Sequence, residues 1–186
     1  MNVNLDKIIE ISINILNEEG IKGLSVRKIA SRLNIKPSSL YWHIKNKEEI
    51  YNNISSKIYS GIKVSENITD PRKYLFELNK QYRRELRKIK DSTEIIKRSQ
   101  NVCSKRLEYY KVTFICIKNM GIVEKYCLTL ANMMNNYVLT FEENSGNSKR
   151  TDNDDQFYFG LERIIKGCVI KIRKITITSF AVRGEG

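Results

Sequence analysis

Residues Gly20 to Lys47, GIKGLSVRKIASRLNIKPSSLYWHIKNK, decide the fold of this chain. Ser25 is a good helix cap, and the apolar positions after it predict a short helix from Val26 to about Leu33. Residues 34–36 interrupt the pattern, and Pro37 suits the first turn of a third short helix. Two short helices joined by a tight turn are typical of a helix-turn-helix, whose second helix enters the major groove of DNA.

The residues after Pro37 have the chemistry that a groove-entering helix needs. Only its first turn reaches the base edges, and Ser38 and Ser39 are small and polar there. We expect Leu40 to anchor the helix in the core, together with Trp42. The side chains predicted to contact DNA are Arg27, Lys28, Ser38, Ser39, Tyr41, His43 and Lys47. The alternatives are that Tyr41 packs in the core and that the others are ordinary solvated side chains.

Helical periodicity extends in both directions from this stretch. Upstream, apolar residues from Leu5 to Leu16 recur at three- and four-residue spacing, and a glycine follows. Downstream, we expect helices over about 47–63, 71–90, 102–120, 122–141 and 156–174, and a short helix or a turn over 92–99. We therefore predict an all-α protein with a DNA-binding domain over 1–46 and a helical regulatory domain over 47–186. Residues 142–155 are expected to form a mobile loop, and the tail from 175 to 186 to fray.

Composition narrows the classes of function. The 186 residues carry a net charge of +12, which favours anionic partners such as nucleic acid. Residues 61–130 hold sixteen Lys and Arg against eight Asp and Glu, so most of the excess lies outside the predicted DNA-binding domain. The basic cluster 83–90 is expected either to be a solvated helix face or to meet DNA phosphates or an anionic effector.

Cysteine, histidine and hydropathy patterns exclude several kinds of site. Four cysteines without a C-x-x-C pair, and a single histidine, make a zinc site improbable, and we expect neither metal nor cofactor. No apolar run is long enough to span a bilayer, and the first residues lack the features of a signal peptide. We therefore expect a cytoplasmic protein.

Three parts of the sequence resemble the TetR family of bacterial repressors. They are the stretch from Gly20 to Ala30, the single residue Leu33, and the run from Ser39 to Lys47. Within that family the Leu-Tyr-Trp-His-Ile-Lys-Asn-Lys run at 40–47 is most similar to the tetracycline repressor subgroup. Phe157 to Glu162 is similar to the start of that subgroup's last helix. Pro37 stands where the subgroup commonly has a polar base-reading residue, so its operator sequence is not carried over.

The resemblance implies a homodimer that binds a pseudo-palindromic operator and is released by a small molecule. The implied dimer interface comprises Cys127, Leu130, Leu161, Ile164, Ile165 and Cys168; the alternative is that these stripes pack within one chain. The candidates for lining the ligand pocket are Tyr82, Ile96, Ser99, Met133 and Met134; the alternative is that these side chains pack in the core. The subgroup holds a magnesium–drug complex on pocket histidines, whereas this chain has Ile96 at the corresponding place and its only histidine at position 43. The resemblance therefore does not extend to a magnesium–tetracycline site.

Two other functions fit a helix-turn-helix chain. One is a protein-binding adaptor on the same fold, which shows no sequence preference on DNA. The other is a non-specific basic nucleic-acid binder, whose affinity for random DNA is lost at moderate salt. An enzyme is disfavoured, because the chain has no G-x-G-x-x-G, no P-loop and no second histidine.

Overall fold

The computed structural model describes residues 3–65, 67–145 and 150–168, with side chains from residue 154 onward in the last range. Regular structure in these residues is entirely helical. In chain order the helices are α1 (Leu5–Glu19), α2 (Val26–Arg32), α3 (Pro37–Leu40), α4 (Lys47–Ser60), α5 (Pro71–Leu86), α6 (Ser92–Arg98), α7 (Ser104–Asn119), α8 (Glu124–Asn144) and α9 (Arg150–Gly167). The predicted all-α fold, with an N-terminal helix-turn-helix and a C-terminal helical part, is confirmed.

Side-chain caps set the helix starts in the N-terminal part. Asn4 accepts a hydrogen bond from Lys7 N at 2.9 Å and starts α1. Ser25 accepts from Lys28 N at 3.2 Å, and Asn46 accepts from Glu49 N at 2.9 Å. Each cap satisfies a backbone N–H that the helix itself leaves without a partner, so the polar residue decides where the helix begins.

The turn between α2 and α3 depends on Asn34. Its φ of 55° lies in the left-handed region, where asparagine is tolerated better than most residues. Ile35 N then bonds back to Ala30 O at 3.0 Å, which closes α2. This closure directs the chain sharply into α3, which Pro37 opens.

Fully buried apolar side chains hold the first four helices together. They include Ile8 and Leu16 of α1, Ile29 of α2, Leu40 of α3 and Ile50 of α4. These residues belong to one core that continues through α5 to α9. Packing of Leu40 in this core therefore fixes the position of α3.

Helices α5, α8 and α9 are joined by a buried ion-pair network that starts at Arg83, which is 2% exposed. Its guanidinium pairs with Glu142 of α8 and, at 3.0 Å, with Asp154 of α9. Arg87 pairs with the same two carboxylates at 3.0 and 2.8 Å. The guanidinium of Arg83 also lies 4.1 Å from the centre of the Phe157 ring. Arg83 and Arg87 thus belong to neither a solvated face nor a DNA-facing one, which corrects the expectation for these two arginines. Arg84 and Lys88, whose side chains are each 60% exposed, do lie on a solvated face.

Two predicted boundaries in the C-terminal part are wrong. Helix α8 continues to Asn144 and α9 begins at Arg150, so the break between them is much shorter than the loop expected over 142–155. Polar composition suggested that loop, but Glu142 and Asp154 are held by arginines and support the two helices. The predicted tail at 175–186, and the end of the helix expected to reach residue 174, lie outside the described residues.

No helix in the described parts of the chain has the length and apolar character needed to cross a membrane.

Candidate nucleic-acid interface

An exposed polar and aromatic edge follows the start of α3. Ser38, Ser39 and His43 are exposed, and Tyr41 and Trp42 are exposed by 55% and 89%. We call these five residues the recognition edge. Beneath it, the side chains at positions 40 and 44 are exposed by 0% and 1%, respectively. The edge is therefore a solvent-facing surface on a rigid apolar support.

The expectation that Trp42 helps to anchor α3 is wrong. Helix α3 ends at Leu40, and the amides of His43 and Ile44 both bond back to Leu40 O, at 2.9 and 3.1 Å. The chain therefore turns tightly, and Ile44 reaches the core in place of Trp42. Tyr41 and Trp42 are left in solvent side by side.

Charged partners divide the basic residues of this region into two groups. The ammonium of Lys28 pairs with Glu19, at the end of α1, and Arg32 pairs with Glu18. Their charges are therefore partly neutralised within the protein. Within the described residues, the side chains of Arg27, Lys45 and Lys47 have no ion-pair partner. Of the two basic residues predicted on α2, Arg27 is thus better placed than Lys28 to meet a phosphate.

The start of α4 is less open to phosphate than its position suggests. Asn46 caps Glu49 N, and the Glu49 carboxylate accepts from Lys45 N at 2.7 Å. This confirms the capping arrangement predicted at 46–49, although the returning carboxylate bonds one residue earlier than the usual box. The Glu49 carboxylate places a negative charge beside this terminus and disfavours a phosphate there, so a phosphate contact depends mainly on the Lys45 and Lys47 side chains. The Lys47 ammonium lies 5.7 Å from the centre of the Tyr51 ring.

Three hydrogen bonds join this N-terminal part to the turn between α5 and α6. Asp91 accepts from Ile21 N at 2.7 Å. Asn17 accepts from Lys90 N at 2.8 Å and donates to Lys88 O at 3.4 Å. Sequence reasoning missed Asn17 and Asp91, because pairs separated by about 70 residues leave no local pattern. The left-handed φ of Asp91, 58°, also has no clear signal in the sequence.

The residues predicted to line a ligand pocket differ in burial. Tyr82, Ile96 and Met134 are buried in the core, and Tyr82 shares a 3.0 Å hydroxyl hydrogen bond with Tyr59. Ser99 is also buried and donates to Asn52 of α4 at 3.0 Å. Met133, by contrast, is 53% exposed on α8.

Most of the residues predicted at a dimer interface are core residues of the single chain. Four of them, Cys127, Leu161, Ile165 and Cys168, are exposed by 5% or less. Burial within the chain leaves these four little surface to offer to a partner subunit. The other two, Leu130 and Ile164, are half-buried, so part of each side chain reaches the surface.

The described residues contain no group of three or more His, Cys, Asp and Glu side chains that could hold a metal ion. His43 lies on the recognition edge, and the four cysteines carry free thiols. Burial raises the pKa of Cys116 to about 11, which keeps this thiol protonated near neutral pH.

Comparison with known proteins supports the interpretation of this N-terminal surface. The family model for bacterial regulatory proteins of the tetR family matches residues 8–54. A class E tetracycline repressor protein from Escherichia coli is 39% identical over 56 residues, which cover 30% of this chain. The match spans about a quarter of that relative, 26% of its length.

Solved structures match nearly the whole chain. The crystal structure of BioQ with its natural double-stranded DNA operator covers 91% of this chain and 100% of its own, with a TM-score of 0.80 and 23% identity. A TetR variant from Acinetobacter baumannii AYE in complex with minocycline covers 89% and 96%, with a TM-score of 0.79 and 23% identity. At this identity the two structures show that the fold is shared. The helix-turn-helix, over residues 8–54, thus matches the tetR family of bacterial regulatory proteins, and the remaining helices share the fold of the two solved structures.

Proposed function

We propose that the protein is a transcriptional regulator, most simply a repressor, that binds operator DNA through the recognition edge. The observation that carries this proposal is an exposed edge of serines, aromatic residues and a histidine, supported from below by the fully buried Leu40. Small polar residues in the first turn of α3 suit base edges, and the unpaired Arg27 and Lys47 suit phosphates. A regulator of this type needs no catalytic residues.

The active form is proposed to be a homodimer, because one helix-turn-helix reads only a half-site. Its surface is proposed on the outer side of α8, where Tyr126, Leu130 and Met133 follow at four- and three-residue spacing. Tyr126 and Met133 are exposed by 42% and 53%, and Leu130 is half-buried. Ile164 of α9 is the other half-buried residue among those predicted for the interface. Such an apolar stripe is suited to a helix–helix contact between two copies.

A small molecule is proposed to release the operator by favouring a dimer with a different separation of its recognition edges. The minocycline complex of the related fold supports a ligand-responsive C-terminal part. The hydrogen bonds of Asn17 and Asp91 offer a route, because they tie α1 and Ile21 to the turn that opens α6. A shift of that turn moves the N-terminal helices with it.

The test is DNA binding by Tyr41→Ala and Lys47→Ala on a site selected from random DNA. Each change is expected to cost about 1–3 kcal/mol of binding free energy, a loss of affinity between about five-fold and about 150-fold. Lys57→Ala is the matched control, since Lys57 is an exposed lysine of α4 far along the helix from the recognition edge. Unchanged affinity in both variants would contradict the proposal. Failure to select any preferred site would favour the protein-binding adaptor.

A further inference from the structure

A groove of about 560 Å³ runs along the surface between the first turns of α5 and the second half of α9. Phe76 on α5 and Tyr158, Phe159 and Ile165 on α9 line it. The Phe76 and Tyr158 rings lie 5.7 Å apart, and Phe159 is 60% exposed. The opening is thus surrounded by three aromatic rings and one aliphatic side chain. Such a surface suits the apolar part of a ligand. The volume lies within the range of about 300–1,000 Å³ that is usual for small-molecule sites.

The rim of the groove is positively charged. Arg72 and Lys73 lie on it in the first turn of α5 and are exposed, and neither has an ion-pair partner among the described residues. The other two charged lining residues, Glu162 and Lys166, neutralise each other at 2.8 Å. The nearby Asp70 carboxylate is engaged with the backbone amides of residues 72 and 73. The groove thus combines an aromatic wall with two cations available to a ligand.

We propose that this groove binds a small amphipathic anion, with an aromatic or aliphatic body against Phe76 and Phe159 and a carboxylate, sulfonate or phosphate at Arg72 and Lys73. Charge-assisted contacts to the two cations orient the ligand, and burial of its body supplies most of the affinity. The site is separate from the recognition edge and from the buried residues predicted for a ligand pocket. Because binding is measured without DNA, failure here leaves the DNA-binding proposal intact.

The test compares two fluorescent probes on the full chain. 8-Anilinonaphthalene-1-sulfonate carries the required anion, and N-phenyl-1-naphthylamine has the same aromatic body without it. The double variant Arg72→Gln/Lys73→Gln is expected to weaken sulfonate binding by about ten-fold and to leave the neutral probe unchanged. Phe76→Ala is expected to weaken both probes. Helical circular dichroism and a melting curve establish that each variant is folded.

The double variant Lys57→Gln/Lys111→Gln is the matched control, since it removes the same charge from exposed lysines of α4 and α7, which do not line the groove. If this control loses as much affinity for the sulfonate probe as the Arg72→Gln/Lys73→Gln variant does, the loss is explained by net charge alone. That result would overturn the proposal. If the affinity of the protein for the sulfonate probe falls when the chain dimerises, the groove is covered by a second copy of the chain and is not a ligand site. Absence of saturable binding would show that the groove does not hold such a ligand. Either outcome overturns the site.

Discussion

At the scale of single residues, Trp42 provides a direct report on the recognition edge. It is the only tryptophan of the chain and is 89% exposed, so free protein should emit as a solvated indole and be quenched readily by iodide. If the edge meets a major groove, bound DNA shields the ring. We predict that saturating operator lowers iodide quenching of this emission. If iodide quenches the emission equally with and without saturating operator, the contact with the groove lies elsewhere on the protein. The Trp42→Phe variant, which has no tryptophan emission, is the control.

The caps and the underside of the interface could be predicted from sequence, whereas the exposure of Trp42 could not. Asn46 and Leu40 act through neighbours three or four residues away, so local spacing contains the necessary information. Trp42 is set by the tight turn after Leu40, which leaves Ile44 rather than Trp42 in the core. An apolar residue near a helix end was assigned inward because burial is the usual outcome for a large ring.

At the scale of elements, the network around Arg83 should contribute more to stability than surface ion pairs do. Glu142→Gln removes a carboxylate from Arg83 and Arg87 at a nearly buried site. We expect a loss of about 3 kcal/mol in the free energy of unfolding, which is at the low end for breaking a buried ion pair. The loss is limited because Asp154 still pairs with Arg83. Urea denaturation measures this loss.

The neighbouring residue supplies the control. Glu143 pairs with Lys97 at 2.6 Å, and both side chains are more than 40% exposed. Glu143→Gln should therefore cost less than about 1 kcal/mol. Equal effects of the two substitutions would show that the network does not hold α5, α8 and α9 together.

Three buried tyrosines make the packing of α4, α5 and α7 sensitive to alkali. Burial raises the pKa values of Tyr59, Tyr82 and Tyr109, whose neutral hydroxyls are enclosed in the core. Above about pH 10 the unfolded chain releases these protons and the folded chain retains them, so stability falls as pH rises. We predict that their ionisation, followed by tyrosinate absorbance, coincides with loss of helical circular dichroism. Ordinary reversible titration of all ten tyrosines in intact protein would contradict this cluster.

Periodicity predicts the longer helices of the described residues, but not the boundaries near α8 and α9. The segment after Phe141 is polar and glycine-containing, which favours a loop locally. Ion pairs from α5 reach across to Glu142 and Asp154 and support helical structure there. These contacts join residues more than 50 positions apart, so the local pattern contained no sign of them.

At the scale of the whole molecule, the proposed dimer surface is open to a matched test. Met133→Glu places a charge on the outer stripe of α8, and we expect it to convert a dimer into a monomer at micromolar concentration. Leu128→Glu is the control, since Leu128 is 58% exposed but lies on a different side of the same helix. Sedimentation velocity separates the two outcomes. If Leu128→Glu produces a monomer and Met133→Glu does not, the dimer interface lies on the side of α8 that carries Leu128.

We propose that two copies of the recognition edge enter one DNA site. Hydroxyl-radical footprinting on a site selected from random DNA tests this proposal. We predict two protected patches related by a dyad, with centres about one helical turn apart or a multiple of it, and loss of both patches in Tyr41→Ala. A footprint without a dyad, or one that Tyr41→Ala leaves unchanged, would contradict the account.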